Sequence, residues 1–436
     1  MPKGKKKGRS DRTRADGSLQ TSDDDSFPND NLSVTSNYSE NNSLEDGKDQ
    51  DDFAQDQLED KLTEIIDGLS QKSSQGRTNC LKNFTKALVK KSMPNFVKER
   101  SFTLCDCIER SLKKGGAEER CAAAELATVM CVQLGSDPIG EDICRNLKSI
   151  LLPIALDNSA APSVRANCCL ALGNMAFLTG ADMGENLTLM QQFESIFSGS
   201  YLKGDGTIPN TTPEIGSLHA AALNAWALLF TQMVPGNIGT MIRNSKTLPH
   251  LEQISELLES THLEVRMAAG EALTLIYEIG REEDHSFEDE FAIDLIETLK
   301  QLATDSHKYR AKKDRKQQRA TFRDILQFIE NDTATDIQVK FGTKFKEALV
   351  LDTFVKRKQY DSLCNILGPN INSHLLENEL LRDIFQIEEN VVHEGTPAYA
   401  RLIFQRERHK KKAVNAANDK ARTLSRAKNR DKRSDF

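Results

Sequence analysis

The chain has 436 residues, of which 38% are apolar and 28% are charged, and its formal net charge is −7. This length allows two or three domains and a large core. The longest apolar run, around Ile150 to Leu156, is too short to span a bilayer, so no membrane role is expected. The nine cysteines form no CxxC pair, which indicates a reducing intracellular environment.

The chain begins with a basic stretch that is followed at once by an acidic, serine-rich one. Residues 1–14 carry seven Lys/Arg against one Asp, and residues 16–60 carry fourteen Asp/Glu against one Lys. A segment with few apolar residues cannot bury enough surface to offset the chain entropy that is lost on folding. Residues 1–55 are therefore predicted to be a disordered tail, and no signal peptide is expected. Ser22 and Ser26 flank three aspartates, a pattern that acid-directed kinases favour, although acidic tails contain serines in any case.

Residues 56–304 are predicted to form successive helices with an internal repeat. One helix pattern of small and apolar residues recurs after an arginine, at Arg77, Arg120, Arg165 and Arg266. With His219 as a fifth copy, the steps are 43, 45, 54 and 47 residues. Such a period is typical of HEAT and armadillo repeats. The predicted fold is therefore all-α, a HEAT/armadillo-like helical-repeat solenoid with a disordered acidic N-terminal tail and a basic C-terminal helix.

Several residues of the repeats have a predicted structural role. The recurrent arginine is expected to bond between neighbouring repeats rather than to bind a ligand. Trp226 lies on an apolar stripe and is expected in the core. Residues 199–213, which contain Gly, Thr and Pro, are predicted to form a loop on one face of the stack. Residues 282–302 should add another helix pair.

A strongly basic segment follows the repeats. Residues 307–323 carry eight cations against one Asp. In a helix, five of them would share one face: Lys308, Lys312, Arg315, Arg319 and Arg323. Apolar residues then recur at the spacing of a core-facing stripe, at Phe322, Ile325, Leu326 and Ile329. The cations suggest an anionic partner, but a solvated helix end beside an acidic body explains the spacing equally well.

Residues 305–395 are assigned to this basic helix and to a helical cap. The pattern predicts a short extended stretch at residues 337–342 and amphipathic helices at residues 345–367 and 374–385. We expect these elements to close the open end of the solenoid, because a terminal repeat must cover its apolar face.

Residues 396–436 form a separate predicted unit. Thr396 and Pro397 are suited to begin a helix. A narrow seam follows, at Ala413, Ala417, Ala421 and Leu424. Residues 401–436 carry thirteen cations against four acids, among them Arg406, Lys410, Lys411, Lys412, Arg422, Arg426 and Arg430. This apolar seam is too narrow to pack firmly on a protein core. The helix is therefore expected to fold only when it binds a partner. A solubilising tail is the alternative.

Catalytic motifs are absent from the sequence. It contains no HExxH, P-loop, GxGxxG or GxSxG pattern. The eight histidines are scattered and lack metal-ligand spacing. We therefore expect a monomeric protein that is not an enzyme and that uses no cofactor, metal or small-molecule substrate.

Four runs of residues together resemble the interferon-related developmental regulator family. They are HKYRAKKDRKQQRATFRDIL (307–326), VKFG (339–342), HLLENELLRDIF (374–385) and ARTLSRAKNRDKRSD (421–435). The resemblance extends from about Leu58 to the C-terminus, while the first 55 residues share only their basic-then-acidic character. It implies a helical-repeat protein without catalytic activity.

The resemblance implies two activities. One is binding to translationally inactive ribosomes, with basic helices in the tRNA and mRNA paths, so that translation is repressed. The other is transcriptional co-regulation through deacetylase-containing complexes during differentiation. Because aromatic residues are sparse in both basic segments, phosphate and shape recognition of ribosomal RNA is favoured over base stacking. Co-repressor proteins are the alternative partners. We expect the protein in the cytoplasm, with the nucleus as a second location.

Overall fold

The computed structural model describes residues 48–234, 236, 238–243, 247–304, 311–342 and 347–387. In these residues the chain is helical apart from one two-stranded hairpin, which confirms the predicted all-α helical-repeat solenoid. The chain before residue 48 and the predicted helix at 396–436 lie outside the described residues. None of the described helices is long and apolar enough to cross a membrane.

The solenoid is built from helices joined by short connections. In chain order these helices are α1 (Lys48–Gly68), α2 (Ser74–Lys90), α3 (Pro94–Glu99), α4 (Ser101–Lys114), α5 (Ala117–Leu134), α6 (Pro138–Leu156), α7 (Pro162–Thr179), α8 (Met183–Phe197), α9 (Pro213–Phe230), α10 (Ile238–Arg243), α11 (Leu251–Glu256), α12 (Leu263–Glu283), α13 (Asp289–Thr304) and α14 (Lys312–Asn331). Single turns of 3-10 helix follow α8 and α11, at Ser198–Ser200 and Leu257–Glu259. Helix α1 begins inside the stretch assigned to the tail, so the predicted tail boundary at residue 55 was wrong.

Two layers of helices form the stack. Helices α2, α5, α7, α9, α12 and α14 pack side by side in this order, and we call them the inner layer. Helices α4, α6, α8, α11 and α13 each pack on the inner helix that follows, and they form the outer layer. Small residues allow the inner helices to approach closely. A Cβ added to Gly173 of α7 would lie 2.8 Å from the Cβ of Ala225 in α9.

The recurrent arginine hydrogen-bonds to the C-terminal end of the outer-layer helix, or of the turn after it, in its own repeat. The Nε of Arg165 donates to the carbonyl oxygen of Ala155 in α6, at 2.9 Å. The Nη1 of Arg266 donates to the carbonyl oxygen of Ser260, just after the turn that follows α11, at 2.6 Å. These carbonyls end a helix or turn and lack a partner within it, so the arginine side chain satisfies them.

At two repeats the same arginine also bonds to the next inner helix. Arg77 of α2 pairs with the buried Glu119 of α5 at 2.7 Å. Arg266 of α12 donates from Nη2 to the Oε1 of Gln318 in α14, also at 2.7 Å. The prediction that this position bonds between repeats is therefore confirmed for Arg77 and Arg266.

Other predictions for the repeats had mixed outcomes. Trp226 is buried and stacks on Phe230 with ring centroids 5.0 Å apart, as expected for a core residue. Residues 201–212 form the predicted loop before α9. The helix pair predicted at residues 282–302 was wrong, because α12 continues to Glu283 and one helix, α13, follows.

A hairpin and three helices follow α14. They are β1 (Ile337–Phe341), β2 (Glu347–Leu351), α15 (Phe354–Leu367), α16 (Ile371–Glu377) and α17 (Glu379–Ile384), with a 3-10 turn at Gly368–Asn370. The strands are antiparallel, and Ile337 lies opposite Leu351. The extended stretch predicted at residues 337–342 is confirmed. The helix predicted from residue 345 was wrong at its start, where Leu349 and Leu351 are buried and Val350 is exposed, the alternation of a strand.

Helices α15, α16 and α17 form what we call the strap, which runs back along the inner layer. At its start, the carboxylate of Glu278 in α12 accepts hydrogen bonds from the backbone N–H groups of Phe354 and Val355, at 2.8 Å each. Next, the buried Lys358 forms an ion pair with Glu271 of α12 at 2.8 Å and hydrogen-bonds to Asn224 of α9. The strap is therefore bonded to two inner helices within its first turns.

Further along, the strap reaches the first two inner helices. The Nδ2 of Asn378 donates to the carbonyl oxygen of Val132 in α5 at 2.9 Å. The Nε2 of His374 lies 2.9 Å from the carbonyl oxygen of Val89 in α2 and donates to it. The predicted position of this segment as a cap on the open end was therefore wrong, because it connects the last inner helices with the first.

The open end of the solenoid is covered by α14 itself. The side of α14 that lies away from α12 exposes Lys316, Ala320, Arg323 and Gln327. A terminal helix with a polar outer face needs no further cap, and α14 has no exposed large apolar side chain. The following segment is thus available to act as a strap.

We expect the strap to contribute to the stability of the whole stack. Asn378 is buried and satisfies the Val132 carbonyl, so Asn378→Ala would leave a buried acceptor without its donor. The free energy of unfolding, measured by urea denaturation, should fall by about 1–3 kcal/mol. The exposed Asn365 of α15 provides a matched control, and Asn365→Ala should change stability by less than about 0.5 kcal/mol. Equal losses in both variants would contradict this role of Asn378.

A second prediction concerns His219, which occupies the arginine position in the fourth inner helix. Its Nδ1 lies 2.6 Å from the Oγ of Ser200, and burial, with the nearby Arg165, lowers the pKa of His219 to about 4. The unfolded chain, with an ordinary pKa of about 6.5, then binds more protons between these two values. This group should therefore lower the free energy of unfolding by about 2 kcal/mol from pH 7 to pH 5 and contribute nothing above pH 7.

The measurement is urea denaturation at pH 7 and pH 5 of the native chain and His219→Gln. The variant should lose less stability at pH 5 than the native chain. The variant His285→Gln, at an exposed site, controls for the replacement of a histidine as such. If His219→Gln and the native chain lose the same stability, His219 is not the source.

Candidate nucleic-acid interface

The helix α14 carries the basic stretch and is anchored by an apolar stripe. Gln318, Phe322, Ile325 and Ile329 are buried and recur at steps of four, three and four residues. The predicted core-facing stripe is thus confirmed, with Leu326 half-buried at its margin. A Cβ added to Gly270 of α12 would lie 2.7 Å from the ring of Phe322, so this glycine lets the two helices pack closely.

Polar bonds fix both ends of α14. Near its start, Gln318 accepts two hydrogen bonds from Arg266, at 3.2 and 2.7 Å, and donates one to the carbonyl oxygen of Leu302. Near its end, Arg281 of α12 donates to the carbonyl oxygen of Ile329 at 3.1 Å. Helix α14 therefore runs in the same direction as α12, and its basic half is held by a defined scaffold.

The predicted cations of α14 do not share one environment. Lys312 and Arg323 are exposed, whereas Arg315 and Arg319 are half-buried. The Nε of Arg315 is buried and has no hydrogen-bond partner in the described part of the chain. Arg315 precedes the buried Gln318 by three positions, so the two side chains lie on the same side of the helix. Arg315 is thus placed at the border between the core and the surface.

Two further lysines complete the exposed surface. Lys313 and Lys316 are exposed and were not among the predicted site residues. Lys316 is four residues from Lys312 and three from Arg319, so the spacing rule could have found it. We call the exposed Lys312, Lys316 and Arg323, with the half-buried Arg319, the cationic stripe. Within the described residues, no member of the stripe forms an ion pair with a carboxylate.

The remaining predicted site residues lie outside the described residues. They are Lys308, Arg406, Lys410, Lys411, Lys412, Arg422, Arg426 and Arg430. The described chain ends after α17, where Phe385 and Gln386 line an open cavity of about 360 Å³ together with Ile279 and Glu282 of α12. This cavity lies at the edge of the inner layer where its helices end. The cationic stripe begins at the opposite edge, where these helices start.

The described residues offer little for metal binding. No group of three or more His, Cys, Asp or Glu side chains in this part of the chain is placed to hold a metal ion. A second open cavity, of about 240 Å³, lies between the turn after α11 and α13, and Ser260, Arg266 and Thr298 line it. The absence of an enzymatic activity stays a prediction from the sequence.

Comparison with known proteins identifies two matching family models. The interferon-related developmental regulator (IFRD) model matches residues 31–330, and the interferon-related protein conserved region matches residues 378–434. Interferon-related developmental regulator 2 of Mus musculus is 38% identical over 384 residues, 88% of this chain and 84% of the relative. Interferon-related developmental regulator 1 of Homo sapiens is 36% identical over 408 residues, 93% of this chain and 88% of the relative.

A more distant relative is an uncharacterised protein of Schizosaccharomyces pombe. It is 26% identical over 348 residues, which cover 67% of this chain and 75% of the relative. The cationic stripe falls within the first matched region, and the predicted basic helix at 396–436 falls almost entirely within the second.

The geometry of α14 predicts that its charge and its stability can be changed separately. Lys316→Glu and Arg323→Glu alter exposed side chains and should change the free energy of unfolding by less than about 0.5 kcal/mol each. Gln318→Ala removes an acceptor from the buried Arg266 and should cost about 1–3 kcal/mol. Urea denaturation of the three variants measures both effects. A large loss in the Glu variants would show that the stripe serves folding.

Proposed function

Because this chain belongs to the interferon-related developmental regulator family, we propose that it is a non-catalytic regulator that binds translationally inactive ribosomes and represses translation. The cationic stripe carries this proposal. Exposed like charges on an anchored helix repel each other and add nothing to folding. An anionic partner would neutralise them, and ribosomal RNA presents phosphates at high density.

Phosphate recognition fits the stripe better than base stacking. Lys312 to Arg323 covers about 17 Å of helix at 1.5 Å per residue. Phe322, the aromatic residue nearest the cations in the described part of α14, is fully buried and cannot stack on a base. Contacts of lysine and arginine with phosphates are electrostatic and independent of sequence. The proposed interface therefore recognises the RNA backbone and its shape.

The basic residues 401–436 are the second proposed contact. We propose that this segment enters the tRNA and mRNA paths as a helix, with Lys410 to Lys412 and the three arginines at 422, 426 and 430 on phosphates. The described chain leaves the solenoid at the edge opposite the start of the cationic stripe. Two contacts on opposite edges would hold the solenoid in one orientation on the ribosome. The cytoplasm is the proposed main location.

A nuclear co-regulator scaffold that acts through deacetylase-containing complexes is the second candidate. Phe102 at the start of the outer helix α4 is 88% exposed, as an aromatic contact for another protein would be. The basic clusters at residues 3–7 and 410–412 could serve as nuclear import signals. This candidate predicts that partner proteins stay bound after Lys312, Lys316 and Arg323 are reversed in charge.

Sedimentation through a sucrose gradient at two salt concentrations tests the first candidate. The full chain should travel with ribosomes at low salt and be released at high salt. Lys312→Glu/Lys316→Glu/Arg323→Glu should stay near the top of the gradient. The slope of log affinity against log salt should be smaller by about two to three units, one for each lost phosphate contact.

The matched control reverses three exposed cations elsewhere on the solenoid. Lys113→Glu/Lys114→Glu/Arg145→Glu changes the net charge equally but affects α4 and α6. This control should still travel with ribosomes. Ribosome binding by the α14 variant that equals the native chain would refute the proposal.

A further inference from the structure

The outer helix α13 exposes a face that is covered by none of the described residues. Glu290, Ile293, Asp294 and Glu297 recur at steps of three, one and three residues and share one side of the helix. The three acids are exposed, and Ile293 is 69% exposed at their centre. Within the described residues none of these acids forms an ion pair. We call these four residues the α13 face.

An acidic surface connects this face with the point where the described chain ends. Phe385 and Gln386 share their cavity with Glu282, near the end of α12. Glu282, Glu283 and Asp284 are exposed, and Asp289 begins α13 a few residues later. A segment that continues from α17 therefore starts beside carboxylates and can follow them to α13.

We propose that the basic segment 401–436 docks on the α13 face of its own chain when no RNA is bound. Charge complementarity supports this occupant, since thirteen cations and four acids meet an acidic helix. The thirteen residues between 388 and 400 could extend over about 43 Å, more than the roughly 24 Å length of α13. The narrow seam with Leu424 matches a face with one exposed isoleucine. The effect of this docking on RNA binding rests on the proposed function, whereas the docking itself does not.

The physical consequence is competition within one molecule. Carboxylates held close to the segment have a high effective concentration, so they compete with phosphates for the same cations. RNA must then displace the α13 face, and the affinity of the full chain for RNA is reduced by the docked fraction. The exposed Ile293 adds an apolar contact that phosphates cannot replace, so it makes the docked state specific.

A single substitution separates this proposal from simple electrostatics. Ile293→Gln removes the apolar contact and leaves the net charge unchanged. Overall charge alone therefore predicts no change in RNA binding, whereas release of the basic segment would strengthen it. The affinity of the full chain for polyuridylate, measured by fluorescence anisotropy, should rise about fivefold. Phe102→Gln on α4 likewise replaces an exposed apolar side chain, at an 88% exposed site, and should leave the affinity unchanged.

Cross-linking of carboxylates to amines by a carbodiimide tests the docking without any RNA. In the full chain, Lys410 to Lys412 should be linked to Glu290, Asp294 or Glu297, and the yield should fall about fivefold in Ile293→Gln. Links between isotopically labelled and unlabelled chains would instead indicate a second copy as the occupant and overturn the proposal. Links mainly to acids in residues 16–60 would overturn it as well. Docking that occurs in a chain that fails to bind ribosomes would leave this inference intact and refute the proposed function.

Discussion

The bonds between the strap and the inner layer are the constraint on which the rest of the structure depends. In an open solenoid each repeat contacts only its neighbours, so stability is a sum of local terms. Here Asn378 and His374 bond to carbonyls at the ends of α5 and α2, while Glu278 of α12 holds the first turn of α15. Distant repeats are thereby coupled, and the stack is held in one curvature.

This arrangement decides which surfaces can meet a partner. A solenoid ordinarily offers its concave side, but the strap covers the ends of several inner helices. Two charged surfaces of the described residues lie instead on the last repeat, where α14 exposes cations and α13 exposes acids. Because α13 and α14 pack against each other, the two charge signs are held on neighbouring helices. Under the two proposals, the carboxylates of α13 and the phosphates of an RNA compete for the same basic segment.

The candidate site was predicted in part. The four-residue spacing located α14, its apolar stripe, and the exposed Lys312 and Arg323. It placed Arg315 on the same face, but the buried Gln318 three residues away draws Arg315 toward the core, and Lys316 takes its position in the stripe. Spacing alone does not tell which flank of a helix meets its neighbour. Gln318 looks like a surface residue until its bonds to Arg266 are seen.

The sequence by itself determined the repeats, because each copy buries the same small and apolar positions at a local period. It also determined that acidic and basic residues lie in different segments, because this can be counted along the chain. The hairpin at β1 and β2, the route of the strap and the self-capping α14 were decided by tertiary structure. His374 and Asn378 bond to residues 285 and 246 positions away, and no local period records such contacts. A short apolar run is compatible with helix or strand until its packing partners are fixed.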